Sequence, residues 1–151
     1  MNKKKTIFNL IMNIPIALAM PISAQLLTIG KLVPIGIVTN FIISFILSFT
    51  LGMTLPVDKW GANFAMKMGA KPGTLKFGLL VNALVTLIYV IANSLVLTFF
   101  NVVIVQKAPF GAFVGGFLAT FIPLYIIGYI VSFLWNKPAE KITENIVKES
   151  I

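Results

Sequence analysis

A chain of 151 residues with 58% apolar residues, 11% charged residues and a mean hydropathy of +0.99 is too apolar for a water-soluble domain. It contains no Cys and no His, which excludes disulfides, thiolate chemistry and the commonest metal ligands. The net charge is +8, but every basic residue is a Lys, and the lysines are scattered along segments that flank apolar runs. Nucleic-acid-binding proteins cluster basic residues on one face, so we expect no nucleic-acid partner.

Four uncharged runs follow one another, each longer than the roughly 20 residues that a helix needs to cross a bilayer. They predict an all-α integral membrane bundle of four transmembrane helices, at about residues 7–29, 34–56, 77–104 and 109–135. Short connections at Lys31 and Lys107 join the spans into two tandem hairpins, residues 1–60 and 77–137. Short amphipathic helices at the membrane surface are expected in the connector 61–76, which contains the turn signal Lys71-Pro72-Gly73, and in the tail 138–151.

Lysines are divided unequally between the two sides of the predicted spans. Ten lie on the side of both termini, and only Lys31 and Lys107 lie on the other side. Because positive charge is retained in the cytoplasm, we expect both termini and the connector 61–76 to face inward. The absence of Arg and the abundance of Ile and Asn are typical of an AT-rich bacterial genome, which favours a multi-pass protein of a bacterial cytoplasmic membrane.

The two hairpins have similar sequences. Residues 8–13 align with residues 77–82, and residues 34–36 align with residues 109–111. Because each copy starts and ends on the inner side, the copies are expected to form a parallel repeat about an axis along the membrane normal.

Small residues recur every fourth position in the second predicted span and at matching places in the fourth. In lipid, small residues let helix backbones approach closely, so these faces are expected to point into the bundle. They are also candidate contact faces of a homodimer, because four helices enclose little volume. The predicted helix-packing residues are Gly36, Ser44, Ser48 and Gly52 in the second span and Gly111, Gly115 and Ala119 in the fourth.

Polar residues in the third predicted span fall at i, i+4, i+7 and i+11, which is one face of a helix. Amide and hydroxyl groups at this depth line a solute path or form hydrogen bonds between helices, and the pattern alone leaves both roles open. The candidate substrate-binding residues are Asn82, Thr86, Tyr89 and Asn93 in this span and Asn40 in the second.

Two acidic residues occupy equivalent places after prolines, Asp58 after Pro56 and Glu140 after Pro138. One interpretation is a pair of carboxylates that gate the cytoplasmic mouth of a solute path. The other is that each Pro begins a helix along the inner membrane surface, with the acid in the first turn where the helix dipole favours negative charge.

No charged residue lies in the middle of a predicted span, so proton coupling through a buried carboxylate is not expected. The chain also lacks a Ser-His-Asp set, a His/Cys metal cluster and a phosphate-binding Gly loop. We therefore predict neither an enzyme nor a bound cofactor or metal.

The run 10–12, the segment Met20-Pro21-Ile22-Ser23, the Phe-rich second span and the closing Leu55-Pro56 resemble a group of small bacterial membrane proteins, the domain of unknown function 2798 type. That family is built from two-helix units, and the resemblance extends over both hairpins. It implies an architecture of tandem hairpins and assigns no activity and no site residue.

Two functions remain open. The first is a small transporter or channel for a neutral or weakly polar solute, which implies a small-molecule ligand as well as the lipid bilayer as partner. The alternative is a non-transporting accessory protein that binds other membrane proteins or anionic lipids through the basic inner face, with Lys67, Lys71 and Lys76 as contacts.

Overall fold

The computed structural model describes residues 3–148, and this part of the chain is helical with no strand. Helices α1 to α5 and a π-helical segment follow in the order α1 (Lys3–Ile29), α2 (Pro34–Thr54), α3 (Val57–Lys67), α4 (Leu75–Thr98), π segment (Phe99–Val105) and α5 (Phe110–Lys148). Four of these helices are long and apolar enough to cross a membrane, namely α1, α2, α4 together with the π segment, and α5. The prediction of four apolar spans is confirmed in this sense.

The four long helices pack as a ring in which α1 and α4 lie on opposite sides. Helix α1 packs against α2 and α5, and α4 also packs against α5 and, over a shorter length, against α2. Helices α1 and α4 do not pack against each other along their length. The space between them contains the candidate site.

One end of the bundle is formed by the start of α1, helix α3, the start of α4 and the last turns of α5, and we call it the lysine-rich end. Lys4 and Glu144 form an ion pair there, with Nζ and Oε1 3.4 Å apart. Both side chains are more than half exposed, so the pair contributes little stability. The loops 30–33 and 106–109 lie at the opposite end.

The loop between α1 and α2 is held by a buried glutamine. Gln25 in α1 accepts a hydrogen bond from the Val33 backbone N–H (2.7 Å) and donates one to the Val33 carbonyl (3.3 Å). Val33 is the N-cap residue of α2, and Pro34 follows at the first helical position, where a missing N–H costs nothing. Gln25 therefore fixes the residue from which α2 starts.

Helix α3 packs against α4 as an antiparallel hairpin. Its buried face is Val57, Gly61 and Ala65, and a Cβ added at Gly61 would lie 3.0 Å from methyl groups of both Val81 and Val85. This face lets α3 approach α4 closely. The sequence predicted a helix after Pro56 with Asp58 in its first turn, as observed, but it did not identify the face that packs on α4.

The turn between α3 and α4 matches the predicted turn signal. Gly69 and Gly73 both have left-handed backbone, with φ of 73° and 83°, a conformation that glycine adopts without steric cost. The Thr74 side chain then caps α4 by accepting a hydrogen bond from the Phe77 N–H at 3.2 Å.

Helix α5 continues through Pro138 to Lys148, so the fourth span and the residues of the tail up to 148 form one helix. The interpretation that Pro138 begins a separate surface helix is therefore wrong. Ala139 and Thr143 are fully buried and extend the packing face of α5 past the proline. Packing on this face keeps the helix continuous although Pro138 cannot donate a backbone hydrogen bond. The predicted residues 149–151 of the tail lie outside the described part.

The predicted packing ladder of α2 is buried. Ser44 and Ser48 are fully buried, Asn40 and Gly52 are buried, and Gly36 is half-buried against the Gln25 side chain.

Helix α5 packs through a different face from the one predicted. Gly111, Gly115 and Ala119 are exposed, and a Cβ added at Gly111 or Gly115 would meet nothing within 4 Å. The buried residues lie one position further along, where the side chains of this face reach α4 and the cavity wall; they are Thr120, Leu124, Gly128 and Ser132. A shift of one residue rotates a helix by about 100°, which turns the predicted stripe outward.

Candidate functional site

A cavity of about 880 Å³ lies between α1, α4 and α5. It begins at the lysine-rich end, where Lys5, Gly73 and Thr74 line it. It extends toward the middle of the bundle as far as Met20 of α1, Asn93 of α4 and Gly128 of α5, which are the lining residues of each helix nearest to the opposite end. Its volume is in the range of small-molecule sites, roughly 300–1,000 Å³.

The deep end of the cavity is closed by an apolar cluster of Met20, Val90 and Leu124, which we call the plug. All three side chains are at most 3% exposed. A Cβ added at Gly128 would lie 3.1 Å from a Val90 methyl group, so the glycine allows α5 to approach α4 at the base of the plug. The cavity is therefore one-sided.

Four of the five predicted substrate-binding residues line this cavity: Asn82, Thr86, Tyr89 and Asn93. The fifth, Asn40, does not. It pairs with Asn101 of the π segment near the opposite end, through one amide hydrogen bond in each direction (3.3 and 3.0 Å). Asn40 thus connects α2 to the π segment and has no place in the cavity.

Asn82 and Thr86 are bonded to α5. The Asn82 amide donates to the Tyr129 carbonyl (3.1 Å) and accepts from the Ser132 hydroxyl (3.0 Å). The Thr86 hydroxyl lies 2.9 Å from the same Ser132 hydroxyl. Through these bonds the two residues hold α4 and α5 together.

Asn93 is bonded to α2 in the same way. Its carbonyl oxygen accepts from Ser44 (2.7 Å), and its amide donates to Ser48 (2.8 Å) and to the Tyr89 carbonyl of its own helix (2.9 Å). With 1% of its surface exposed, Asn93 joins α4 to the ladder of α2.

The cavity mouth contains the two predicted gate residues. Asp58 at the start of α3 and Glu140 in the last part of α5 both line it, together with Lys5 and Lys137. Asp58, Glu140 and Lys137 are exposed, so their charges are screened by solvent. Charge is confined to this rim, since the deeper lining is formed by apolar, amide and hydroxyl side chains.

Two further polar residues line the cavity from α1, Asn9 and Asn13, and neither was among the predicted site residues. Both are buried, with 8% and 3% of their surface exposed. The alignment of the two hairpins places Asn13 on Asn82, and this correspondence was the available sequence signal.

Side chains from α1 and α4 meet beside Gly52 of α2 at the cavity wall. A Cβ added there would lie 2.6 Å from the Tyr89 hydroxyl and would also collide with the Asn9 amide, whose Nδ2 donates to the Phe49 carbonyl at 3.1 Å. A glycine is required at position 52 because the Asn9 and Tyr89 side chains occupy the space that a Cβ would fill.

Among residues 3–148, no group of three or more His, Cys, Asp or Glu side chains is placed to hold a metal ion. The chain matches no protein-family model, no curated protein and no solved structure. The resemblance to the family of two-helix units therefore stays a prediction. The fold defines a class, a chain whose four long apolar helices are compatible with a multi-pass membrane protein.

Proposed function

We propose that this protein is a small transporter for a neutral or weakly polar solute, which enters the one-sided cavity from the lysine-rich end. The observation that carries the proposal is the cavity itself. It is large enough for a small molecule, it has mixed polar and apolar walls, and its interior carries no charge. A uniformly apolar, fully packed bundle would have favoured a purely structural role.

The plug favours a carrier over an open channel. Met20, Val90 and Leu124 separate the cavity from the opposite end, so a solute crosses only if this cluster moves. Pro21 lies beside Met20 in α1, and Pro123 lies beside Leu124 in α5. Each proline removes one backbone hydrogen bond and weakens its helix next to the plug, which favours bending there.

The proposed orientation places the lysine-rich end in the cytoplasm of a bacterium, by the positive-inside rule. We also propose that the two hairpins are parallel repeats. The buried positions of α1 and α4 support this, because the alignment that places Asn13 on Asn82 also places Ala17 on Thr86, and all four residues are buried. A homodimer remains part of the proposal, with the exposed stripe on Gly111, Gly115 and Ala119 as its candidate contact.

Single-cysteine labelling tests whether the cavity admits water-soluble molecules. The chain contains no Cys, so each engineered thiol is the sole target. Met12→Cys places a thiol on the cavity wall, and Leu18→Cys places one on the outer face of the same helix, where the native side chain is 40% exposed. In proteoliposomes, a charged maleimide is expected to label position 12 and to spare position 18, which lipid covers. Equal labelling of both, or of neither, would contradict an aqueous cavity.

Solute flux tests the role of the plug. Leu124→Ala shortens a plug side chain, and Leu118→Ala makes the same change on the outer face of α5, where the native residue is 65% exposed. Stopped-flow swelling of proteoliposomes should show faster uptake of small neutral solutes such as glycerol for Leu124→Ala only. If wild type and both variants are as impermeable as protein-free liposomes, the transport proposal fails.

The accessory role is the second candidate, and one observation favours it. Lys67, Lys71 and Lys76 are all exposed around the turn between α3 and α4, where they form a basic surface. Replacing all three by Gln should then release co-purifying partners or anionic lipids, and added salt should have the same effect. A transporter is expected to tolerate the triple substitution without loss of flux.

A further inference from the structure

The hydrogen bonds inside the cavity separate side chains that hold helices together from side chains that are free to bind a solute. Asn82, Thr86 and Asn93 are bonded to neighbouring helices, as described above. Two other lining residues, Asn13 and Tyr89, each keep a polar atom that makes no hydrogen bond to any residue of the described range 3–148. Asn13 lines the cavity from α1, and Tyr89 lines it from α4.

The Asn13 amide is oriented by its neighbour. Its Nδ2 donates to the Asn9 backbone carbonyl and to Asn9 Oδ1, both at 2.8 Å. Both partners are acceptors, so the nitrogen must point toward Asn9 and the Asn13 Oδ1 must point away from it. No residue of the range 3–148 donates to Asn13 Oδ1, and this oxygen is open to the cavity, since the fully buried side-chain polar atom without a partner in this range is Ser94 Oγ.

The Tyr89 hydroxyl lies near the Asn9 side chain. It reaches the volume above Gly52, where the Asn9 side chain also lies, and it donates to no residue of the described part of the chain. Asn9 is thus a common neighbour of the Asn13 amide and the Tyr89 hydroxyl, and all three residues line the same cavity.

We propose that Asn13 Oδ1 and the Tyr89 hydroxyl form a binding subsite for the carboxamide group of an uncharged solute. A carboxamide offers an N–H donor to Asn13 Oδ1 and a carbonyl acceptor to the Tyr89 hydroxyl, side by side. The apolar part of the solute packs against the neighbouring lining side chains Phe8, Ile16 and Val85. This inference rests on the proposed function, since it requires a cavity that solutes enter.

The subsite selects against a carboxylate of the same shape. A carboxylate has acceptors only, so its oxygen would face the Asn13 Oδ1 with no proton between them. The lysines that line the cavity, Lys5 and Lys137, are at its rim, and the subsite has no positive charge of its own to replace the lost hydration of an anion.

Benzamide and benzoate are matched probes for this subsite, because they share a ring and differ in the group that Asn13 and Tyr89 would contact. The readout is the protection of the Met12→Cys thiol from a charged maleimide in the full-length chain. Benzamide is expected to slow labelling in a saturable way, and benzoate is expected to need at least about ten times the concentration for the same effect.

Tyr89→Phe removes one hydroxyl and no hydrogen bond to the described residues, so the variant should fold with an unchanged midpoint of thermal unfolding. It should weaken protection by benzamide about 2- to 12-fold, the range for one hydrogen bond. The matched control is Tyr129→Phe, whose hydroxyl donates to the Leu79 carbonyl at 3.3 Å outside the cavity. That variant should lose some thermal stability and keep the affinity for benzamide.

The outcomes distinguish this inference from the proposed function. If the maleimide reaches position 12 but benzamide gives no protection, or if Tyr89→Phe binds benzamide as tightly as the parent, the subsite is refuted while the cavity stands. If the maleimide does not reach position 12, the transport proposal fails, and the subsite fails with it.

Discussion

Trp135 compensates for a hydrogen bond that Pro15 removes from α1. In a regular helix, the Ile11 carbonyl accepts from the N–H of residue 15, and proline has no N–H. The Trp135 indole Nε1 of α5 donates to this carbonyl at 3.0 Å. Trp135→Phe therefore leaves the Ile11 carbonyl without a donor, and we expect it to destabilise the protein by about 0.6 to 1.7 kcal/mol for the lost interhelical bond, plus the loss of ring packing.

A double-mutant cycle isolates the hydrogen-bond contribution. Pro15→Ala restores the N–H at position 15, so the Ile11 carbonyl regains a partner within α1. In the Pro15→Ala background, Trp135→Phe should lower the free energy of unfolding only by the lost packing of the indole ring. The coupling energy between the two substitutions should then equal the contribution of the hydrogen bond, about 0.6 to 1.7 kcal/mol.

Equilibrium unfolding of the four proteins in mixed micelles, followed by far-UV circular dichroism, measures the cycle. If Trp135→Phe lowers the free energy of unfolding equally in both backgrounds, within about 0.3 kcal/mol, the indole does not serve the carbonyl that Pro15 exposes and the reasoning is wrong.

Three further predictions use the same unfolding measurement. Gly52→Ala should destabilise the protein by about 1–3 kcal/mol because the added methyl group collides with polar side chains. Gly115→Ala should be neutral or slightly stabilising, since a Cβ there meets nothing within 4 Å. Equal effects of the two substitutions would contradict the packing described for Gly52. Asn93→Leu should lower stability by about 1–3 kcal/mol, because it leaves two buried serine hydroxyls without their partner; a variant of full stability without flux would instead indicate a solute ligand. Asn40→Leu alone should lower the free energy of unfolding more than the double variant Asn40→Leu/Asn101→Leu does, since the single change leaves the Asn101 amide without its partner. Additive effects of the two substitutions would show that the two amides do not interact.

The four spans were predictable because length and hydropathy alone determine whether a helix can cross hydrocarbon. The predicted and observed helix bounds agree closely at the end of α1 and at the start of α2. Helix α3 was missed as a packed element because its interaction depends on Gly61, and the sequence alone does not indicate that this glycine faces Val81 and Val85. A small residue in a short polar segment has the same sequence pattern whether it packs or faces solvent.

The rotation of α5 was not predictable from small residues alone. Both Gly115 and Gly116 suit close approach, and the two differ by one position on the helix. Two tyrosine hydroxyls of α5 select the observed face, since Tyr125 donates to the Ala83 carbonyl (3.1 Å) and Tyr129 donates to the Leu79 carbonyl (3.3 Å). In both bonds the acceptor is a backbone carbonyl, which every residue has, so the sequence does not indicate which carbonyl a tyrosine will contact.

The candidate site was predicted in part, because four of the five proposed substrate-binding residues do line one cavity. Asn40 was misplaced for a structural reason. Its partner Asn101 lies in a π-helical segment, where each turn holds more residues than in an α-helix, so the face of Asn101 does not follow from α-helical spacing.

Asn13 and Asn93 show why residue type alone does not separate a packing role from a binding role. Both are asparagines in apolar helices, both are buried, and both line the cavity. Asn93 has its carbonyl oxygen and its amide nitrogen bonded to α2, so its removal acts on folding. Asn13 has its nitrogen bonded within α1, and its oxygen accepts no hydrogen bond from residues 3–148, so the proposed solute would supply the missing donor. Lipid tails cannot satisfy an unmet hydrogen bond, so the unused bonding capacity of polar atoms that line the cavity is the physical quantity on which the proposed subsite rests.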